Sequence, residues 1–308
     1  MKGESAVGES AGYHVPVLLN EVIEHLNIKP GGVYVDCTFG GGGHSRAILE
    51  KLDTTGKLVA FDQDEDAKRN LPKDERVLFV PHNFRHVKRF LQLHGIARVD
   101  GLLADLGVSS HQFDEGSRGF STRFDAQLDM RMDQRQEKTA MQVLNTYSEP
   151  QLHKLFEQYG EVTNSKTLAR TIVEARKIAP LQTINGFKDA VQGIVKGNPN
   201  KYFAQVFQAI RIEVNDEMGA LKELLQQVPD VLKSGGRAAI ITFHSLEDRL
   251  VKTFFREGTF EQDLNPFEMT KVSNPLKLVN KKPIEATNEE TKRNPRSRSA
   301  KLRVAEKI

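Results

Sequence analysis

Four consecutive glycines, Gly40 to Gly43, stand between a short β-branched and aromatic run ending in an acid, Val33-Tyr-Val-Asp36, and an amphipathic stretch, His44 to Leu52. A strand, a glycine turn and a helix in that order form the first unit of a nucleotide-binding α/β sheet. The glycines let the backbone bend sharply and let a ligand approach where a Cβ would block it. A second strand-like run, Leu58-Val-Ala-Phe-Asp62, ends in an acid 19 residues beyond Gly43. That is the spacing at which a carboxylate can bind two ribose hydroxyls. The chain is therefore expected to bind an adenosine-containing cofactor at the top of its first two strands. The competing reading, a tight turn with acids that only cap helices, leaves the joint spacing unexplained.

The kind of cofactor follows from the acids. A dinucleotide places its pyrophosphate on the N-terminus of the first helix. Here Asp36, Asp62 and Asp105 fall at the ends of successive strand-like runs, which suits a ligand carrying a sulfonium and an ammonium. S-adenosylmethionine is that ligand. The chain's single cysteine, Cys37, lies in the cofactor turn, on the wrong loop for the covalent addition that methylation of a cytosine ring carbon requires. An exocyclic amine needs no such help. One cysteine also excludes an intrachain disulfide framework and fits a reducing cytoplasm.

The 308 residues suffice for one large domain or two modest ones. The start, Met1 to Ser10, lacks the apolar core of a signal peptide, and no apolar run approaches a membrane span. A net charge of +3 is mild, but six cations gather between Lys292 and Arg303. They could contact phosphates or form a solvated terminal segment. The histidines do not fall at ligand spacings with carboxylates or thiols, so no metal site is expected.

The α/β rhythm continues through Val77 to Pro81 (strand), Phe84 to His94 (helix) and Val99 to Asp105 (strand). It then breaks. Between about His111 and Arg211 only helices are expected: one opened by the capping box Ser148-Glu-Pro-Gln151, then Ser165 to Ile178, Phe187 to Val195 and Tyr202 to Val214. The rhythm resumes with a helix over Glu217 to Leu232, the stop Ser234-Gly-Gly236, a strand over Arg237 to Phe243 and a helix over Leu246 to Arg256. Leu276 to Val279 and Lys301 to Ala305 supply two last strands around a polar, mobile stretch. The expected organisation is a first methyltransferase part over 1–112, a helical insertion over 113–213 as candidate RNA-recognition domain, and a second methyltransferase part over 214–308.

Three constellations bear on chemistry. Asp105-Leu-Gly-Val-Ser109-Ser110-His-Gln112 follows a strand whose end must lie beside the glycine turn; it is either the loop that meets an acceptor nitrogen or an ordinary turn. Phe243-His244-Ser-Leu-Glu-Asp-Arg249 could orient a substrate or cap the next helix. Arg118 to Phe124 and Leu128 to Asp133 mix aromatic residues, Arg and Asp in a strandless loop suited to closing over a site.

These segments, with His14-Val-Pro-Val-Leu-Leu-Asn-Glu21 and Asn294-Pro-Arg-Ser-Arg-Ser299, resemble the RsmH (MraW) family in order from about residue 13 to the C-terminus. The resemblance implies a Rossmann-like class I S-adenosylmethionine-dependent fold with an inserted all-helical domain, and methylation of the exocyclic N4 of a cytidine in the decoding region of 16S rRNA. It also implies Gly42, Gly43 and His44 against the cofactor, Asp62 on the ribose, Phe84 at the adenosine and Asp105 at the methionine end, with Gln112 in the loop beyond. The expected chemistry is direct in-line transfer to an unstacked base. Asp105, or a carbonyl of the Ser109–Ser110 loop, accepts from the amine, while His244 and Ser245 hold the base. The RNA partner would be presented by a small ribosomal subunit or its assembly intermediate, and a homodimer is compatible with this reading. Two rivals are a nicotinamide-dependent oxidoreductase on a related fold and a non-catalytic RNA-binding assembly factor.

Overall fold

The structure, a computed structural model, describes residues 16–260 and 273–308. Met1 to Ser10 and the first two residues of the His14 to Glu21 motif lie outside the described residues. Eight strands form one sheet: β1 (Val33–Asp36), β2 (Lys57–Phe61), β3 (Val77–Val80), β4 (Val99–Asp105), β5 (Leu232–Thr242), β6 (Leu276–Leu278), β7 (Ile284–Glu285) and β8 (Lys301–Lys307). The order is β3-β2-β1-β4-β5-β8-β6, with β7 paired to β8. β1 to β5 run parallel, and β8 is antiparallel to its neighbours. This is the Rossmann-like class I arrangement. The strand order reverses between β1 and β4, and that switch opens a crevice beyond their carboxyl ends.

Alternation along the strands explains why both faces are covered. Tyr34, Leu58, Leu103, Ala239 and Ile241 face a core with Leu26, Ile48 and Leu49 from the helices Leu19–Leu26 and Gly43–Lys51. Their neighbours Val35, Val59, Leu102, Ala104, Ala238 and Ile240 face a second core. That core is filled by Val87 and Leu91, by Leu221, Leu224 and Val228 of the helix Glu217–Val231, and by Val251 and Phe255 of the helix Ser245–Glu257.

A third core belongs to the strandless region. Helices Ala140–Thr146, Glu149–Gly160, Ser165–Ile178, Ile184–Val191 and Pro199–Asn215 close around Phe156, Ile172, Phe187 and Phe207. Between β4 and β5 the only pairing among the described residues is an isolated bridge, Gln127 to Thr183. No helix among the described residues is long and apolar enough to cross a membrane.

Three local features differ from expectation. β5 begins at Leu232, not Arg237: Leu232 pairs with Val99, and the register then jumps to Arg237 opposite Gly101. Ser234-Gly-Gly236 is thus a bulge inside the strand, possible because Gly235 takes φ 75°. Phe84 to His94 divides into a 3-10 turn, Phe84–His86, and the helix Val87–Leu93.

The stretch before β8 is structured rather than mobile. It contains β7 and the helix Asn288–Arg293, and Glu290 Oε1 accepts from Leu18 N at 2.8 Å. Of the six clustered cations, Arg303 is buried in a bidentate pair with Asp248 (2.7 and 3.0 Å). Arg296 bonds Asp114 at 2.7 Å and stands 5.3 Å from the Phe113 ring centre. Lys292, Arg293 and Arg298 are exposed.

Candidate active site

A cavity of about 1040 Å³ opens at the switch point. The turn after β1 forms its floor. Thr38 Oγ1 accepts from Asp105 N at 2.7 Å, joining that turn to the end of β4. Gly40 lies at φ 49° and Gly42 at φ 73°, backbone that glycine adopts without strain. Gly40, Gly41, Gly43 and His44 line the cavity; Gly42 does not. Gly42 is instead the residue before the helix Gly43–Lys51, packed under Phe39. A Cβ on Gly43 would stand 2.2 Å from Pro16 Cγ. Gly43→Ala should therefore push the Pro16 segment off the turn and cost roughly 1–3 kcal/mol, read as a lower denaturation midpoint in urea.

The strand-end acids divide. Asp36 is 1% exposed and accepts from Ser45 Oγ (2.7 Å) and Thr38 N (3.0 Å), so it holds the turn from behind and does not line the cavity. Asp62 lines it. Its carboxylate accepts from Gly40 N (2.7 Å) and Asp64 N (2.8 Å), yet burial pushes its pKa up to about 7.

Asp105 also lines the cavity, and its Oδ1 is buried with no hydrogen-bond partner among the described residues. Burial, with the charges of Asp36 and Glu247, holds its pKa well above the carboxylate range. His44 Nε2 bonds the Val17 carbonyl at 3.0 Å, which requires the proton on Nε2 and turns Nδ1 toward Asp105 Oδ2, 3.7 Å away. Burial lowers the His44 pKa, against the opposing pull of Asp36 and the Val17 carbonyl.

Phe84, Ser109, Ser110 and Gln112 all reach the wall. Ser109 and Gln112 are also structural. They form the capping box of the short helix Ser110–Asp114, and Gln112 Nε2 donates to Asp64 Oδ2 at 2.8 Å. His244 is not on the wall. It caps the helix Ser245–Glu257, with Nδ1 accepting from Glu247 N at 3.4 Å, so the capping alternative describes its contacts. Ser245 Oγ meets Glu161 at 3.3 Å.

Sequence reasoning missed Arg211, Glu217 and Glu247, which line the cavity together with Asp105. Glu247 sits within a segment singled out for chemistry, but nothing in spacing links it to Arg211 or Glu217. Glu217, His244 and Glu247 also place potential ligand atoms within 4.8 Å of one another, a grouping no sequence spacing announced.

The donor set fits S-adenosylmethionine. Asp62 keeps free lone pairs for ribose hydroxyls, and a Cβ at Gly41 would meet nothing within 4 Å, so the turn leaves room for the ligand.

The chain is similar to a set of known proteins. The MraW methylase family matches residues 11–308. A protein of Azobacteroides pseudotrichonymphae named Ribosomal RNA small subunit methyltransferase H is 53% identical, over 97% of this chain and 99% of its own. Proteins of the same name from Flavobacterium johnsoniae and Phocaeicola vulgatus are 54% and 53% identical. Each alignment covers 96% of this chain and 98% or 97% of the relative. A glycine turn and two strand-end acids around a switch-point cavity are what a methyl donor of this class needs, and the oxidoreductase reading falls with the match: the chain belongs to the MraW methylase family.

Proposed function

We propose that this chain transfers a methyl group from S-adenosylmethionine to the exocyclic N4 of a cytidine in the decoding region of 16S rRNA, presented by a small ribosomal subunit or its assembly intermediate. The observation that carries the reading is Asp105 Oδ1, a buried acceptor without a partner, on the wall between the cofactor turn and the Ser109–Ser110 loop. A buried unpaired acceptor is costly, and an amine that enters the cavity satisfies it.

S-adenosylmethionine, held against the glycine turn with its ribose on Asp62, would supply a methyl group already activated on sulfonium for in-line transfer to nitrogen with cleavage of the S–C bond. Asp105 accepts one amine N–H and draws the nitrogen toward tetrahedral geometry. The other proton leaves to water after transfer, so no strong base is needed. Orientation supplies most of the acceleration. The helical region of residues 113–213 and the exposed Lys292, Arg293 and Arg298 would grip RNA backbone by charge and shape.

Asp62 makes cofactor binding depend on pH. Ribose hydroxyls donate to its ionised form, whose pKa is about 7. Affinity should therefore weaken roughly tenfold as pH falls from about 8 to about 6. Asp62→Asn should bind weakly with little pH dependence, and an equally steep profile in that variant would assign the titration elsewhere.

The experiment that tests the function is tritiated-methyl transfer to small subunits from cells lacking such an enzyme, followed by nucleoside analysis. Label in N4-methylcytidine supports donor, acceptor and atom together. Label in another nucleoside overturns the substrate, and no label with cofactor still bound favours a non-catalytic assembly factor.

A further inference from the structure

A charged cluster from two distant chain segments, Glu247 buried and Arg211 and Glu217 partly exposed, stands on the cavity wall. Arg211 belongs to the last helix of the strandless region, Pro199–Asn215, and Glu217 and Glu247 to helices that pack on the sheet. Arg211 uses one edge of its guanidinium on Glu217, with Nε to Oε1 at 2.8 Å and Nη2 to Oε2 at 2.9 Å. Its Nη1 has no hydrogen-bond partner among the described residues. Glu247, 2% exposed, is held by Phe243 N at 2.8 Å, and its charge acts on both Asp105 and Arg211.

A divalent cation is the obvious alternative occupant, because Glu217, His244 and Glu247 group closely. Neither Glu217 nor the His244 ring is set to ligate a cation, although His244 Nε2 has no hydrogen-bond partner among the described residues. Both oxygens of Glu217 lie in the Arg211 fork. His244 Nδ1 accepts from Glu247 N, so in the neutral ring Nε2 carries the proton, 3.2 Å from Glu247 Oε1.

What remains is a fixed donor, Arg211 Nη1, and a fixed acceptor, Asp105 Oδ1, on the wall of one cavity. Cytosine presents an amine beside the ring acceptor N3, whereas uracil presents a carbonyl beside an N–H at the same two positions. A donor paired with an acceptor therefore matches cytosine and mismatches uracil at both positions.

We propose that Arg211, braced by Glu217, is a specificity-determining residue for the acceptor base, donating through Nη1 to N3 while Asp105 accepts from the adjacent amine. This rests on the cytidine-N4 reading above. A planar fork is required, because one edge must hold Glu217 while the other reads the base. A lysine supplies a single point charge and cannot do both.

The test is Arg211→Lys beside wild type on small subunits, reading kcat and KM for the subunit, cofactor affinity, thermal midpoint and labelled nucleoside. We expect kcat to fall roughly 10- to 100-fold, with subunit KM and cofactor affinity within about threefold, since backbone contacts and Asp62 are untouched. If the lysine variant folds poorly, Glu217→Gln keeps the guanidinium but loosens its brace, and kcat should fall about 3- to 10-fold at unchanged cofactor affinity. Wild-type kcat in either folded variant overturns the assignment, as does a loss confined to cofactor affinity. Wild-type label in any nucleoside but N4-methylcytidine overturns the cytidine reading and this inference with it. Label in N4-methylcytidine by wild type and Arg211→Lys at equal rates overturns this inference alone.

Discussion

Replacing Asp105 by alanine should lower kcat/KM for methyl transfer by a factor of about 100 to 1000 while raising stability in alkaline buffer. Both effects have one origin. Oδ1 is buried with no partner among the described residues, although the side chain as a whole is partly exposed, and the charges of Asp36 and Glu247 stand nearby. Its folded-state pKa is therefore well above the unfolded value. Between those two values the folded protein keeps a proton that the unfolded chain releases, so stability falls as pH rises.

Alanine removes that cost. The variant's thermal midpoint should exceed the wild-type value at about pH 8, and the two should converge toward about pH 2, below the unfolded-state pKa of about 3.9, where the group is protonated in both states. Asp105→Asn keeps a carbonyl acceptor without the charge, and its activity should lie between the two. A variant that loses both activity and stability at alkaline pH would make Asp105 a structural residue and remove the amine acceptor from the mechanism.

Arg118→Met should destabilise the protein by about 3–5 kcal/mol, measured as a shift in urea midpoint at unchanged slope. Arg118 is 8% exposed and Asp64 5%. Nη1 bonds Asp64 at 3.0 Å and Asp66 at 3.3 Å, while Nη2 bonds the carbonyls of Arg131 and Met132 at 3.0 and 3.3 Å. Asp64 also receives the Gln112 amide.

One guanidinium thus ties the end of β2, the acceptor loop and the 128–133 segment together. Methionine fills much of the volume but leaves Asp64 ionised without its counter-charge. Adding Asp64→Leu removes that stranded charge, and the double variant should recover most of the loss. A single-variant cost below about 1 kcal/mol would mean that water reaches the pair and solvates it. The loop reading of Arg118 to Phe124 and Leu128 to Asp133 expected residues that close over a site. Met132 lines the cavity, while Arg118, Leu128 and Met130 are buried beneath it.

The parallel strands were legible because both faces are buried. Runs such as Leu58 to Phe61 have almost no polar interruption and end in acids or glycines where the chain must turn. The strandless region was legible by the loss of that pattern, and its helix Ser165–Ile178 has the bounds that periodicity predicts. The bulge in β5 was not, because Ser234-Gly-Gly236 reads equally as a helix stop. The segment before β8 was not either. Its composition is polar, and it is ordered by distant partners such as Leu18 N on Glu290.

Sequence by itself determined the cofactor end of this site. A strand, a glycine turn and an acid after the next strand are local features, fixed by backbone geometry within about thirty residues. Tertiary structure alone decided which polar groups share the cavity. Asp36 turns inward to Ser45, His244 caps its helix, and Arg211, Glu217 and Glu247 converge from helices that sequence cannot juxtapose. Burial is the reason. A carboxylate or guanidinium out of water must find a partner or a ligand, and which one it finds depends on packing between segments far apart in the chain.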